Sequence, residues 1–523
     1  MKRVVSVFFC LIFSLALLML RLYALAQGGE VRSAQSGATL TVEAARSRGY
    51  LYDRNGLPFV NTREQTVAVA APFTHVPQLL RTVSTPQDFA NARSRWEKGL
   101  PAVLSVRTDV TGEGIFCVRE PIRYSSDFLI THLAGYCNAE GQGVCGLEKS
   151  FEDLLGERVC TVTYDVDAAG RVLCGGNTQM DDGGLWSPQG VVLTLEKRLQ
   201  AMVRDAMLAS EIRKGAAVLL DADSAEILAM VSLPEWDPEH PQDSLQSADA
   251  PFINRALNPA SVGSVYKILV AAAALENGVS PQYTYTCTGS IQQDDVMFHC
   301  HLHAGHGTLD MAGAMANSCN PWFIRAAHEI PVASILDLSW HLGLGSAVTL
   351  AQDVVCAAGI LPDAQELQTD AARANLAFGQ GRLTAAPLQI AAATAACVNG
   401  GVYHEPRLVY ALCDAQGSWT RTESSAGERA IRTGTSDTLR RILVYAASQT
   451  DRLTFKNCGG KTATAQTGVY TQGNEQFNTW YSGFFPAEDP QYVLTVFCED
   501  GTSGAADCIP VFEAVAAQIC ENS

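Results

Sequence analysis

The chain has 523 residues, 47% hydrophobic and 17% charged, with 54 acidic against 37 basic side chains and a formal net charge of −17. That balance excludes a nucleic-acid binder, which needs a basic face, and the high apolar content excludes a disordered chain. At this length about two to four domains are expected, and 16 Cys are too dilute for a small disulfide scaffold.

The N-terminus opens Met1-Lys2-Arg3 and then runs from Val4 to Leu20 without a charge. Such a run is at the short end of what spans a bilayer as a helix. Lys2 and Arg3 favour a cytoplasmic start, which sends the rest of the chain outward. The alternative is a cleaved signal peptide, with Ala24-Leu25-Ala26 as a small-residue cleavage site. Residues 1–28 are read as a signal-anchor. Export permits disulfides, so Cys287 with Cys300, and Cys498 with Cys508, are either bridged or buried free thiols.

Residues 33–41 are small and polar, a linker. Arg48 to Gly56 is an extended run ending in an Asn-Gly turn signal. Residues 60–190 mix short strand-like runs with helical pieces, such as Leu147 to Leu155, and gather no catalytic set. Residues 29–190 are therefore read as a non-catalytic module. At Val191 the character changes: a strand over 191–195 precedes a helix over 196–209, spaced at Leu199, Met202, Val203, Ala206 and Met207. Apolar runs at 216–221 and 226–231 predict a buried hairpin. Helices are expected at 267–275, 387–396 and 511–519, and paired strands at 480–485 and 492–498. Strands at both ends with helices between them indicate an α+β fold with a central antiparallel sheet flanked by helices.

Three short elements carry chemistry. Ser264-Val265-Tyr266-Lys267 places a hydroxyl and an amine one turn apart on a helix face. Ser is a poor nucleophile until a base takes its proton, and Lys is a base only when deprotonated. Burial or a second cation must therefore lower its pKa from about 10.4. Lysines are scarce: there are eight, none lies between 268 and 455, and only Lys267 follows a Ser by three. The second element, Ser318-Cys319-Asn320, offers a proton relay and an amide. The third, Gly459-Gly460-Lys461-Thr462-Ala463-Thr464-Ala465, offers a cation and hydroxyls on a strand small enough for a substrate backbone to approach.

Ser-x-x-Lys, Ser-x-Asn and Lys-Thr-small, in that order, form the signature of penicillin-recognising serine enzymes. The chain resembles the class B penicillin-binding proteins, peptidoglycan D,D-transpeptidases, over nearly its whole length. Arg48 to Gly56, Gly146-Leu147-Glu148, Asn254-Arg255-Ala256, His306-Gly307, Phe378-Gly379-Gln380-Gly381 and Trp480 to Phe484 extend the likeness. It implies a serine β-lactamase-like transpeptidase domain over 191–523, an N-terminal α/β pedestal or dimerisation-like domain over 29–190, and a single-pass membrane location. Only about 160 residues precede the catalytic domain after the anchor, too few for a glycosyltransferase.

The roles the resemblance implies are Ser264 as nucleophile, Lys267 as its base, Ser318 as proton relay and Asn320 as a substrate-amide ligand. Lys461 supplies the field that keeps Lys267 neutral and, with Thr462, Ala463 and Thr464, binds substrate. The backbone N–H groups of Ser264 and Thr464 form the oxyanion hole. No metal or organic cofactor is implied. The implied partners are peptidoglycan stem peptides, β-lactams and a membrane glycosyltransferase of the shape, elongation, division and sporulation family. Two positions depart from the family: Ala463 stands where Gly is usual, placing a methyl on the strand lining the cleft, and Val262 replaces a Pro. The alternatives are a β-lactamase or β-lactam sensor, a D,D-carboxypeptidase, and a catalytically weak scaffold.

Overall fold

The computed structural model describes residues 12–21, 38–74, 79, 81–124, 127–471 and 473–521. Residues 12–21 are helical. Among the described residues, no helix is long and apolar enough to cross a membrane. The first eleven residues and Ala24-Leu25-Ala26, on which the anchor and cleavage readings also rest, lie outside the described residues.

The chain divides into two compact units. The first takes the described residues of Met1–Ser47, Glu64–Pro121 and Arg158–Leu185. It holds two three-stranded sheets: Thr39–Ser47, Arg158–Asp165 and Thr178–Asp181 in one, Ala102–Val106, Arg63–Ala70 and Ile115–Ile122 in the other. One of its helices, Pro86–Trp96, starts where Thr85 caps the Asp88 N–H and Pro occupies the first turn.

The second unit takes Arg48–Arg63, Ile122–Glu157 and Trp186–Ser523. Its centre is a five-stranded sheet of β1 (Gly215–Asp221), β2 (Ile227–Leu233), β3 (Gly459–Thr471), β4 (Asn474–Phe485) and β5 (Tyr492–Cys498). The order is β2-β1-β5-β4-β3, antiparallel throughout. The labelled helices are α1 (Lys197–Ala209), α2 (Lys267–Glu276), α3 (Asn320–His328), α4 (Pro387–Val398), α5 (Thr433–Ser448) and α6 (Ile509–Glu521).

Both faces of the sheet are buried. Ala216, Val218 and Leu220 of β1 pack in one core with α2, α4 and α5, while Ala217 and Leu219 pack in another with α1 and α6. Trp480 and Phe484 of β4 join the first core; Tyr481 and Phe485 join the second. A strand covered on both sides has no polar face to show, so it reads as an unbroken apolar run. Each fully buried Val, Leu or Phe stabilises by roughly 1.5–3 kcal/mol. The hydroxyls on the inner face stay paired: Ser482 lies 2.8 Å from Thr394 of α4 and 2.8 Å from Thr495 of β5.

A charge cluster ties segments 48–63 and 122–157 of this unit to each other. Glu148 is fully buried, 3.1 Å from Arg48 Nε and 2.7 Å from Arg123 Nε, and Glu152 lies 2.7 Å from Arg48 Nη2. Two guanidinium groups thus meet one buried carboxylate, and its desolvation is offset by paired hydrogen bonds. Cys287, Cys300, Cys498 and Cys508 are all free thiols.

Candidate active site

A 3₁₀ turn, Gly263–Tyr266, leads into α2. In a 3₁₀ turn, side chains at i and i+3 eclipse, which stacks Ser264 on Lys267 more closely than an α-helix would. Gly263 has φ +58, and a Cβ there would lie 2.9 Å from Ala465 Cβ, so the turn sits directly against β3. Two further contacts hold it. The Gly263 N–H donates to Gly379 O at 2.9 Å, and Trp480 Nε1 donates to Ser261 O at 2.9 Å. Val262, which caps the start of this turn, is fully buried.

Lys267 follows on the first turn of α2, whose residues are buried from Lys267 to Leu275, as a helix apolar all round requires. Ser318 lies between the helix Met311–Ala316 and α3, at φ 48, and Asn320 is the first residue of α3. These three elements converge. Lys267 Nζ donates to Ser318 O at 2.8 Å and to Asn320 Oδ1 at 2.6 Å, and lies 3.1 Å from Ser264 Oγ. Ser318 Oγ is 3.1 Å from Lys267 Nζ and donates to Ser264 Oγ at 3.0 Å.

The geometry suits a neutral amine. Its two N–H bonds are taken by carbonyl oxygens, and the lone pair is left for the Ser264 proton. Electrostatics agree: burial holds Lys267 well below its ordinary 10.5, and the charge of Lys461 lowers it further. The Phe323 ring, 5.4 Å from Nζ, closes the apolar side.

Lys461 enters from edge strand β3, 4% exposed, and donates to Thr462 O at 2.9 Å. Burial lowers it to about 8, so it keeps its charge at neutral pH. Thr462 is half-buried and Thr464 exposed on the opposite pleat. Ala463 does not put its methyl into an open cleft: it is 3% exposed and packs in the main core. The pleat decides this, because Ala463 points the same way as Lys461 and Ala465.

Residues 215–521 match the family described as the penicillin binding protein transpeptidase domain. The chain belongs to this family. Penicillin-binding protein PbpB of Mycolicibacterium smegmatis is 28% identical over 448 residues, covering 81% of this chain and 68% of that protein. Peptidoglycan D,D-transpeptidase FtsI of Escherichia coli is 26% identical over 416 residues, covering 75% of this chain and 66% of that one. A crystal structure of penicillin-binding protein 3 from Mycobacterium tuberculosis complexed with aztreonam has a similar fold. Its TM-score is 0.66 at 23% identity, over 92% of this chain and 97% of that chain.

As a penicillin-binding protein, the chain brings together four groups named from its motifs, Ser264, Lys267, Ser318 and Asn320, and sets Lys461 close enough to act on Lys267 by charge. Sequence reasoning did not find Phe323 or the supporting role of Gly379. Gly379 has φ +78, and a Cβ there would meet Gly263 O at 2.0 Å. Its place in Phe378-Gly379-Gln380-Gly381 was the available signal.

Proposed function

We propose that the chain is a class B D,D-transpeptidase that cross-links peptidoglycan stem peptides and is acylated by β-lactams. The observation that carries this reading is the Ser264–Lys267–Ser318–Asn320 network around a buried amine. Ser264 Oγ attacks the carbonyl between two terminal D-alanines as its proton passes to Lys267. The oxyanion rests on the N–H groups of Ser264 and Thr464, donors worth about 10²–10³ in rate each. Collapse breaks the C–N bond, Ser318 relays a proton to the leaving D-Ala amine, and an acyl-enzyme remains. Asn320 orients the substrate amide, and Lys461, Thr462 and Thr464 hold its carboxylate. An amine from a second stem peptide then takes the acyl group and gives its proton back through Lys267. No cofactor takes part.

Residues 1–28 serve as a membrane anchor, supported by the uncharged run after Lys2 and Arg3. Residues 29–190 serve as a pedestal, supported by their want of a catalytic set, and 191–523 as the exported catalytic domain, with segments 48–63 and 122–157 of the pedestal packing into the catalytic unit. A membrane glycosyltransferase supplies the glycan strands. The test is labelling with fluorescent penicillin followed by peptide mass spectrometry. One adduct on Ser264, lost in Ser264→Ala, supports the reading. An unlabelled but folded wild type that still complements its deletion strain overturns it in favour of a scaffold, and rapid penicillin turnover in favour of a β-lactamase.

A further inference from the structure

A cavity of about 480 Å³ adjoins the nucleophile turn, lined in part by Ser261, Thr384, Thr467, Asn478, Glu499 and Asp500. It is continuous with the site already described. Ser261, three residues before Ser264, pairs with Thr384, and Thr467 stands two residues beyond Ala465, against which the turn packs. We propose that this cavity binds the amine-bearing side chain of the donor stem peptide, with Glu499, Asp500 and Asn478 as its ligands. The inference rests on the transpeptidase reading above and names a part of its substrate.

The direction of the substrate follows from the roles proposed along β3. Its terminal carboxylate lies at Lys461 and Thr462, and its scissile carbonyl at the Thr464 N–H. The residues before the scissile bond therefore run onward, past Gln466 to Thr467. A strand rises about 3.3 Å per residue, so Thr467 lies roughly 10 Å beyond Thr464, about three residues of an extended peptide. Cross-linking takes an amine from a second stem peptide, so a donor carries such an amine too. Its two D-alanines have none to give. The amine therefore sits on a residue further back, at the distance of the cavity.

The lining suits an ammonium group on an apolar stem. Asn478 is 7% exposed, and its side-chain amide takes no hydrogen bond among the described residues. It stands two residues before Trp480, whose ring nitrogen reaches Ser261 O, so the pleat turns it to the same face. A buried amide left unpaired is costly, and a polar group entering the cavity completes it. Glu499 and Asp500 are 36% and 34% exposed. Each carboxylate has about four lone-pair sites, more than the contacts with Arg255 and Lys214 fill. Arg255, the cation in the lining, is 4% exposed and gives its N–H groups to Glu499 and to the carbonyls of Leu233, Ala250 and Asp249. The cavity thus presents acceptors, which favours a cationic donor over an anion. Val469 and Phe497 supply an apolar wall for its methylene groups.

The full chain in detergent is given two synthetic thioester donors, each ending in lysyl-D-alanyl thioglycolate. One has a free side-chain amine and the other an acetylated one. Ser264 Oγ forms the ester, its proton leaves through Lys267, and the C–S bond breaks to release a thiolate, which reports the rate. The free amine should raise kcat/KM about tenfold over the acetylated donor, the scale of a partly exposed hydrogen bond between charged groups. Asp500→Asn and Asn478→Ala should each bring that ratio toward one. Because the ratio is taken within one protein sample, any loss of folded protein cancels. Equal rates for the two donors in the wild type overturn the inference, as does a ratio that survives both substitutions. Fluorescent penicillin, which lacks the amine-bearing segment, is run on the same samples. If it labels Ser264 while the donors react equally, this inference alone fails. If neither penicillin nor either donor acylates Ser264, the transpeptidase reading fails with it.

Discussion

In the proposed mechanism Lys267 acts as a base only while neutral, and Lys461 helps only while charged. Acylation should therefore climb with pH as Lys267 loses its proton, far below the ordinary lysine range because of burial and the Lys461 charge. It should fall again near pH 8, where Lys461 loses its own. Lys461→Arg keeps a permanent charge, so the alkaline limb should move to higher pH; stopped-flow acylation with a chromogenic cephalosporin across pH measures both limbs. Ser318→Ala removes the relay and should slow acylation by about 10²–10⁴-fold in the same assay. Ala463 belongs to a different argument. Since its methyl is packed in the core, Ala463→Gly should leave acylation nearly unchanged and cost about 0.5–1 kcal/mol of stability, read as a lower melting temperature.

At the scale of elements, catalysis depends on how α2, α3 and β3 are held against one another. The nucleophile turn rests on Gly379, where a Cβ would meet Gly263 O at 2.0 Å. Gly379→Ala should displace Ser264 and lower the acylation rate by about 10²-fold. Gly400 has φ +92 with nothing within 4 Å of an added Cβ. Gly400→Ala should therefore cost only about 1–2 kcal/mol of backbone strain and keep the acylation rate, a contrast that kinetics and melting on the same samples can read. The helices and strands themselves were largely legible. The run 216–220 and the periodicity at Leu199, Val203 and Met207 fall on β1 and α1. Less legible was the nucleophile turn, because a 3₁₀ turn and the start of an α-helix share the same i, i+3 spacing.

For the whole molecule, the buried carboxylate of Glu148 serves two arginines at once. Glu148→Ala leaves Arg48 and Arg123 without their buried counter-charge and should destabilise the second unit by about 3–5 kcal/mol. Denaturant unfolding followed by tryptophan fluorescence measures that loss. Arg48 and Glu148 lie in stretches that extend the family resemblance, and the ion pairs give those stretches a physical reason. No periodicity signals such a pair, since its members stand 100 and 25 residues apart.

The order Ser-x-x-Lys, Ser-x-Asn, Lys-Thr-small and the scarcity of lysine were enough to name Ser264, Lys267, Ser318, Asn320 and Lys461, because each motif is local and its chemistry needs those residue types. Tertiary structure alone decided that Lys267 is fully buried, with two carbonyl oxygens on its N–H bonds, and that Ala463 turns away from the cleft. It alone drew Cys287, Cys300, His306 and Cys319 to one point. Their spacing, twelve, five and twelve intervening residues, was plain in the chain, but convergence depends on the pairing of Tyr285–Cys287 with Gly307–Leu309 and on where α3 begins. Desolvation and convergence are properties of packing between segments far apart in the chain, and a linear pattern carries no record of that distance.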